Sequence, residues 1–198
     1  MNQALIVIDI QTDFCPGGAL AVPEGHEIVP GVNALMADFA QIVLTQDWHP
    51  RGHSSFASAH PGKAPFETME MAYGAQVLWP DHCVQGSGGA GFHPRLDTNR
   101  AGVIIRKGCN RAIDSYSAFF ENDRQTSTGL HGYLQERGVT DLTLVGLALD
   151  FCVQYSALDA ARLGYRVRVR RDLTRAIDLD GSRAAAEALM RDAGVALA

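Results

Sequence analysis

Residues 4–10 read ALIVIDI, a run with a single polar side chain, Asp9. A strand that alternates apolar and polar residues buries one face, whereas a strand that is apolar throughout has to bury both. Such a strand belongs in the middle of a parallel sheet that is covered on either side. The rest of the chain supplies matching pieces. A second apolar run starts at Ile42 and leads into Asp47-Trp48-His49. Residues 103–108 (VIIRKG), 142–145 (LTLV) and 165–171 (YRVRVRR) make a third, fourth and fifth, and residues 195–197 a short sixth. Helical spacing fills the gaps: residues 30–40 with Val32, Leu35, Met36 and Phe39 on one stripe, residues 129–137, the stretch carrying Val153, Ala157, Ala160 and Ala161, and residues 182–193. Strands alternating with helices imply right-handed crossovers. The expected fold class is α/β, a doubly wound parallel sheet of five to six strands with helices on both faces.

In such a sheet the ligand sits beyond the carboxyl ends of the strands. Asp9 ends the first run, Asp47 and His49 follow the second, Lys107 ends the third and Cys152 follows the fourth. Four strand ends thus deliver five reactive side chains to one rim. Around Cys152 the sequence (residues 142–164, LTLVGLALDFCVQYSALDAARLG) reads as strand, break at Gly146, tight elbow and helix, with the cysteine in the first helical turn. Backbone N–H groups at a helix start are unpaired, and the positive end of the dipole favours a thiolate there. A lone cysteine is more often a small buried residue. Convergence with Asp9 and Lys107 makes it a nucleophile: a carboxylate can take the thiol proton, and an ammonium can stabilise the anion.

A second constellation is Asp47 and His49, with His53 four residues on and His82 in residues 79–83 (WPDHC). One carboxylate and two imidazoles suit Zn²⁺, Mn²⁺ or Fe²⁺ and leave positions open on the ion. His53 is either a further ligand or a partner behind the ligands. His26, His60, His93 and His131 lack such a context and are expected at the surface.

With 198 residues the chain is long enough for one domain with a full core, taken as residues 1–198 with a long metal and substrate loop region at about 47–100. From residue 51 to 100 that region is rich in Gly, Pro and His and weak in periodicity, and a loop of such length is usually functional. The formal net charge of -5 argues against a nucleic acid partner. No apolar run is long enough for a membrane span, and the N-terminal one lacks the flanks of a signal peptide. Cys15, Cys83, Cys109 and Cys152 form no CxxC pair and read as free thiols, which places the chain in the cytoplasm. Gly86, Gly88 and Gly91 match GxGxxG, but no strand precedes them and Pro94 follows, so no nucleotide cofactor is expected. Arg166, Arg168 and Arg170 alternate with Val167 and Val169, as in a strand with one face solvated or covered by acidic groups.

Five segments together resemble the nicotinamidase (pyrazinamidase) family of the isochorismatase-like cysteine hydrolases: residues 9–20 (DIQTDFCPGGAL), 47–56 (DWHPRGHSSF), 79–85 (WPDHCVQ), 106–119 (RKGCNRAIDSYSAF) and 146–153 (GLALDFCV). The resemblance runs nearly end to end, and the paired metal segments are its specific part. It implies an isochorismatase-like, Rossmann-like three-layer fold. It implies Cys152 as nucleophile, Asp9 as base, Lys107 as cationic partner, and Asp47, His49 and His82 as ligands of one divalent ion, zinc foremost. Phe14 and Trp79 would flank a pyridine ring with Tyr116 nearby. The Leu147–Ala148 peptide would be cis, with the N–H groups of Ala148 and Cys152 forming an oxyanion hole. The implied activity is hydrolysis of nicotinamide to nicotinate and ammonia through a thioester, with pyrazinamide also cleaved. Leu149 departs from the Thr more common in the family at that place. Two other readings stay open: a hydrolase of N-carbamoyl or ureido compounds, and a non-catalytic metal or ligand-binding module. The partner is a small molecule, and a homo-oligomer is left open.

Overall fold

The computed structural model describes residues 2–198. In chain order its strands are β1 (Gln3–Ile8), β2 (Ile42–Asp47), β3 (Thr68–Met71), β4 (Gly74–Val77), β5 (Val103–Lys107), β6 (Asp141–Leu147), β7 (Arg166–Arg175) and β8 (Ala196–Leu197). The α-helices are α1 (Val29–Leu35), α2 (Leu130–Glu136), α3 (Gln154–Arg162) and α4 (Ser182–Asp192). Six strands form one sheet in the order β5-β2-β1-β6-β7-β8, with every pairing parallel.

The apolar run at the start does what its composition demands. Leu5 and Val7 point to one face, where they meet Val29 and Val32 of α1 and the following Met36. Ala4, Ile6 and Ile8 point to the other, against Leu134 of α2, Ala157 and Ala160 of α3 and Met190 of α4. Each large side chain buried this way contributes about 1.5–3 kcal/mol, so the unbroken apolar run from Ala4 to Ile8 stabilises both layers at once.

The strand order changes direction between β1 and β6, the place where such sheets open a crevice. Register levels the strand ends there: Ile8 pairs with Gly146, and Asp47 pairs with Lys107.

Four local readings of the sequence are corrected. The fourth strand does not stop before Gly146 but runs through it to Leu147. Gly146 has φ of +116°, and a Cβ on it would stand 2.0 Å from the Ile8 carbonyl oxygen, so this glycine marks close contact with β1 rather than a strand end. Residues 51–100 are more regular than their weak periodicity suggests, for β3 and β4 form an antiparallel hairpin. Its pattern is hidden because the one side chain it buries fully is polar, Gln76. The first helix ends at Leu35 and tightens into a 3₁₀ turn, Met36–Asp38. The fifth strand extends to Arg175. Its arginines meet acidic partners as expected, Arg166 with Asp141, Arg170 with Asp172 and Arg171 with Glu187. Among the described residues no helix is long and apolar enough to cross a membrane.

Candidate active site

Lys107 closes β5 opposite Asp47 on β2, and its side chain has no exposure to solvent. The ammonium nitrogen lies 2.9 Å from Asp9 Oδ2, 2.9 Å from Asp47 Oδ1 and 2.8 Å from the Ser115 carbonyl oxygen, with Cys152 Sγ at 3.5 Å. Its three hydrogen bonds go to Asp47 Oδ1, the Ser115 carbonyl and the Cys152 sulfur, and the contact with Asp9 Oδ2 is an ion pair. Burial pulls the pKa of this ammonium down, but the carboxylates of Asp47 and Asp9 outweigh it and hold the pKa well above the ordinary lysine value. Lys107 is therefore a fixed cation.

Asp9 follows β1 with φ of +47° and is fully buried. Its Oδ1 accepts the Thr45 hydroxyl at 2.6 Å, and its backbone N–H donates back to Thr45 Oγ1 at 3.2 Å. Burial raises its pKa above the usual aspartate value; Lys107 opposes this without cancelling it. A raised carboxylate is a stronger base. Burial also pushes the Cys152 thiol well up, against Lys107, and the charges of Asp9 and Asp47 add to the rise.

The direction at Cys152 is thus opposite to the lowering that a helix N-terminus would give at this place in the sequence. Nor does Cys152 sit in the first turn of an α-helix. Residues Leu149–Val153 form a π-helical turn that precedes α3. The N–H groups of Phe151 and Val153 both donate to the Ala148 carbonyl at 3.1 Å, the latter across the wider π spacing. An extra residue in one helical turn leaves no periodic trace in so short a stretch. Asp150, the second residue of the turn, anchors it: its carboxylate accepts the N–H groups of Ile177 and Asp178 at 3.0 and 2.7 Å and the Ser182 hydroxyl at 2.5 Å. Leu149 packs into the core on the α3 face of the sheet.

Asp47, His49 and His82 come together as the sequence expects, with ligand atoms within 4.8 Å of one another and all three residues buried. The ring nitrogens are assigned by their partners. His49 Nε2–H donates to Asp114 Oδ1 at 3.0 Å, which leaves Nδ1 as the lone pair facing Asp47 Oδ2 at 3.6 Å. His82 Nδ1–H donates to the Pro80 carbonyl at 2.8 Å, so Nε2 faces the same carboxylate oxygen at 3.3 Å. His49 Nδ1 is buried with no hydrogen-bond partner. An orphaned imidazole lone pair beside a carboxylate and a second imidazole fits a divalent cation. The electrostatics agree. Burial alone would lower the His49 pKa, but Asp47 and Asp114 draw positive charge to the ring and raise it. Asp47 is itself held below the ordinary range, because His49 and Lys107 overcome its burial.

Both ring nitrogens of His53 have hydrogen-bond partners, although with His49 and Asp114 it forms a second buried group able to hold a cation. Its Nδ1 accepts the Ser55 hydroxyl at 2.8 Å and the Ser55 N–H at 3.1 Å, while Nε2–H donates to the Asn110 carbonyl at 2.8 Å. It stands edge-on to the His49 ring at 4.5 Å between centroids. The other four histidines are half-buried rather than at the surface, and His131, for example, pairs with the Tyr165 hydroxyl at 2.8 Å.

A narrow pocket joins the two constellations. Phe14, Leu20, Trp79, Tyr116, Ala148, Phe151 and Ile177 line it, together with Asp47, His82, Asp114 and Cys152. Trp79 meets Phe151 edge-on at 4.8 Å, and Tyr116 meets Phe151 at 5.6 Å. The Leu147–Ala148 peptide is cis. Thr45, Asp114, Phe151 and Ile177 went unread in the sequence. Asp114 lies within the lysine segment and Phe151 beside the cysteine, but no spacing separates a partner of a ligand from an ordinary loop aspartate.

The model of the isochorismatase domain matches residues 3–198. The chain is 56% identical over 181 residues to the nicotinamidase of Acinetobacter baylyi, covering 91% of this chain and 85% of that protein. Its fold superposes on a solved nicotinamidase/pyrazinamidase of Acinetobacter baumanii with a TM-score of 0.98 at 52% identity, over 99% of this chain and 95% of the other. A pyrazinamidase of Pyrococcus horikoshii solved in complex with zinc aligns over 100% and 99% of the two chains, with a TM-score of 0.81 at 35% identity.

Proposed function

The chain belongs to the isochorismatase domain family, and we propose that within it the protein is a metal-dependent nicotinamidase, hydrolysing nicotinamide to nicotinate and ammonia through a thioester on Cys152. One observation carries this reading. The Lys107 ammonium touches Asp9 and Cys152 together, at the wall of a cavity lined by aromatic rings.

The chemistry follows from the charges. Asp9 takes the Sγ proton, and the sulfur attacks the carboxamide carbon. Lys107 stays cationic throughout and stabilises the sulfur while it carries charge. The oxyanion forms beside the backbone N–H groups of Ala148 and Cys152. A donor of this kind is worth about 10²–10³ in rate. Asp9 then passes its proton to the departing nitrogen, which leaves as ammonia. Restored to a carboxylate, it draws a proton from water as the water oxygen attacks the thioester carbonyl. The C–S bond breaks, and the proton returns from Asp9 to sulfur. Phe14, Trp79 and Tyr116 hold a flat ring and keep bulk water from it. Asp47, His49 and His82 would hold a divalent ion, zinc foremost, which would supply Lewis acidity to position and polarise the pyridine ring. His53 supports His49 from behind rather than joining the ligands. Pyrazinamide has the same ring nitrogen and carboxamide and is expected to react. The free thiols suit a reducing compartment, the cytoplasm.

Ammonia release from nicotinamide, set beside an N-carbamoyl substrate, tests the reading. Turnover of nicotinamide that stops on chelation and returns with zinc supports it. Turnover of the carbamoyl compound alone would overturn it.

A further inference from the structure

The β3–β4 hairpin sends one fully buried side chain inward, that of Gln76. Its Nε2 carries two protons and faces three acceptors: the Val77 carbonyl at 2.7 Å, Asp114 Oδ2 at 3.1 Å and the Tyr116 hydroxyl oxygen at 2.6 Å. Its Oε1 accepts Asn122 Nδ2–H at 3.0 Å and the Tyr73 hydroxyl at 3.2 Å. The amide orientation is therefore set, since a flip would press an oxygen against a carboxylate and a carbonyl.

This one amide has an arm on each side of the cavity. Through Asp114 it reaches His49, whose other nitrogen is the orphaned lone pair at the cation position. Through Tyr116 it reaches Trp79, because the same phenol oxygen accepts Trp79 Nε1–H at 3.0 Å. With both lone pairs of that oxygen taken by N–H donors, the Tyr116 proton is left to donate, and Tyr116 borders the cavity.

We propose that Gln76 is a positioning residue that holds the cation-facing ring of His49 and the Trp79–Tyr116 wall in one register, leaving the Tyr116 O–H as a donor toward the substrate. The ring arm rests on the nicotinamidase reading; the cation arm does not. Partners behind a ligand commonly govern metal affinity by about tenfold or more, and a lost buried hydrogen bond weakens binding about fivefold.

The test uses the full-length protein and two measurements: the Zn²⁺ dissociation constant without substrate, by competition with a chromogenic chelator, and kcat and KM for nicotinamide. In a folded Gln76→Leu variant zinc binding weakens by about tenfold and KM rises about fivefold, with kcat changing less than KM. Should that variant not fold, Gln76→Met keeps the side-chain length, removes the same donors without adding charge and is expected to shift both constants in the same directions. A folded variant with both constants unmoved, or with KM raised and zinc affinity unchanged, overturns the proposal. If the wild-type protein leaves nicotinamide untouched, the functional reading falls by itself, and the zinc titration decides the cation arm.

Discussion

The ammonium nitrogen of Lys107 stands 3.5 Å from the sulfur of Cys152. Lys107 closes the edge strand β5, whereas Cys152 follows β6, with β2 and β1 between them in the sheet. Only a long side chain lying across two strand ends makes that contact. On the way the ammonium touches Asp47 and Asp9, and so it joins the cation position to the nucleophile.

Replacing Lys107 with Met leaves Asp9 and Asp47 buried without their cation. Breaking a buried charge cluster from one side costs about 3–5 kcal/mol, so a large fall in unfolding free energy is expected along with loss of turnover. Chemical denaturation of the variant measures it; stability equal to wild type would mean that the carboxylates do not depend on Lys107.

Cys152→Ala is expected to lower nicotinamide turnover by about 10⁴-fold or more, the usual result of removing a nucleophile. Mass spectrometry of wild-type turnover quenched in acid should find an acyl adduct on Cys152. Residual activity near wild type in the variant would rule out attack by this sulfur.

The activity profile has an acid limb set by Asp9. The base works as a carboxylate, so kcat/KM is lost as pH falls through its pKa. Burial, only partly offset by Lys107, raises that pKa above the ordinary 3.8, and the limb accordingly lies at a higher pH than a free aspartate would give. Asp9→Asn should be inactive across the whole range. A profile that stays flat down to pH 3.8 contradicts the assignment.

Asp114 and His53 separate two kinds of support for the cation. Asp114→Ala frees the His49 ring and should weaken metal binding about 10–100-fold, whereas His53→Ala, which removes no available lone pair, should cost less. Metal retained after dialysis against a chelator ranks them; a greater loss in His53→Ala would make His53 a ligand.

Gly146→Ala places a methyl group against the backbone of Ile8, at a φ that side chains rarely adopt. Overpacking and backbone strain together should destabilise the fold by about 3 kcal/mol or more. A denaturation midpoint near that of wild type would show that β1 and β6 can move apart.

The sheet was readable because burial is written residue by residue. ALIVIDI at the start of the chain can be satisfied only between two layers, and the alternation of runs and helical stripes leaves few ways to supply them. The reactive ends Asp9, Asp47, Lys107 and Cys152 followed from the same logic, since parallel strands all point their carboxyl ends the same way.

What the chain alone determined was the layered sheet and the side chains brought to its rim. Only the tertiary structure decided how they are set: the π-helical turn under Cys152, the upward push that burial gives its thiol pKa, the nitrogen that each histidine presents, and the partners Thr45, Asp114 and Gln76. The reason is range. Apolar periodicity acts between neighbours in sequence and is visible there. A hydrogen bond from Gln76 to Asp114, or from Thr45 to Asp9, depends on where distant strands and loops come to rest, and no local spacing records that distance.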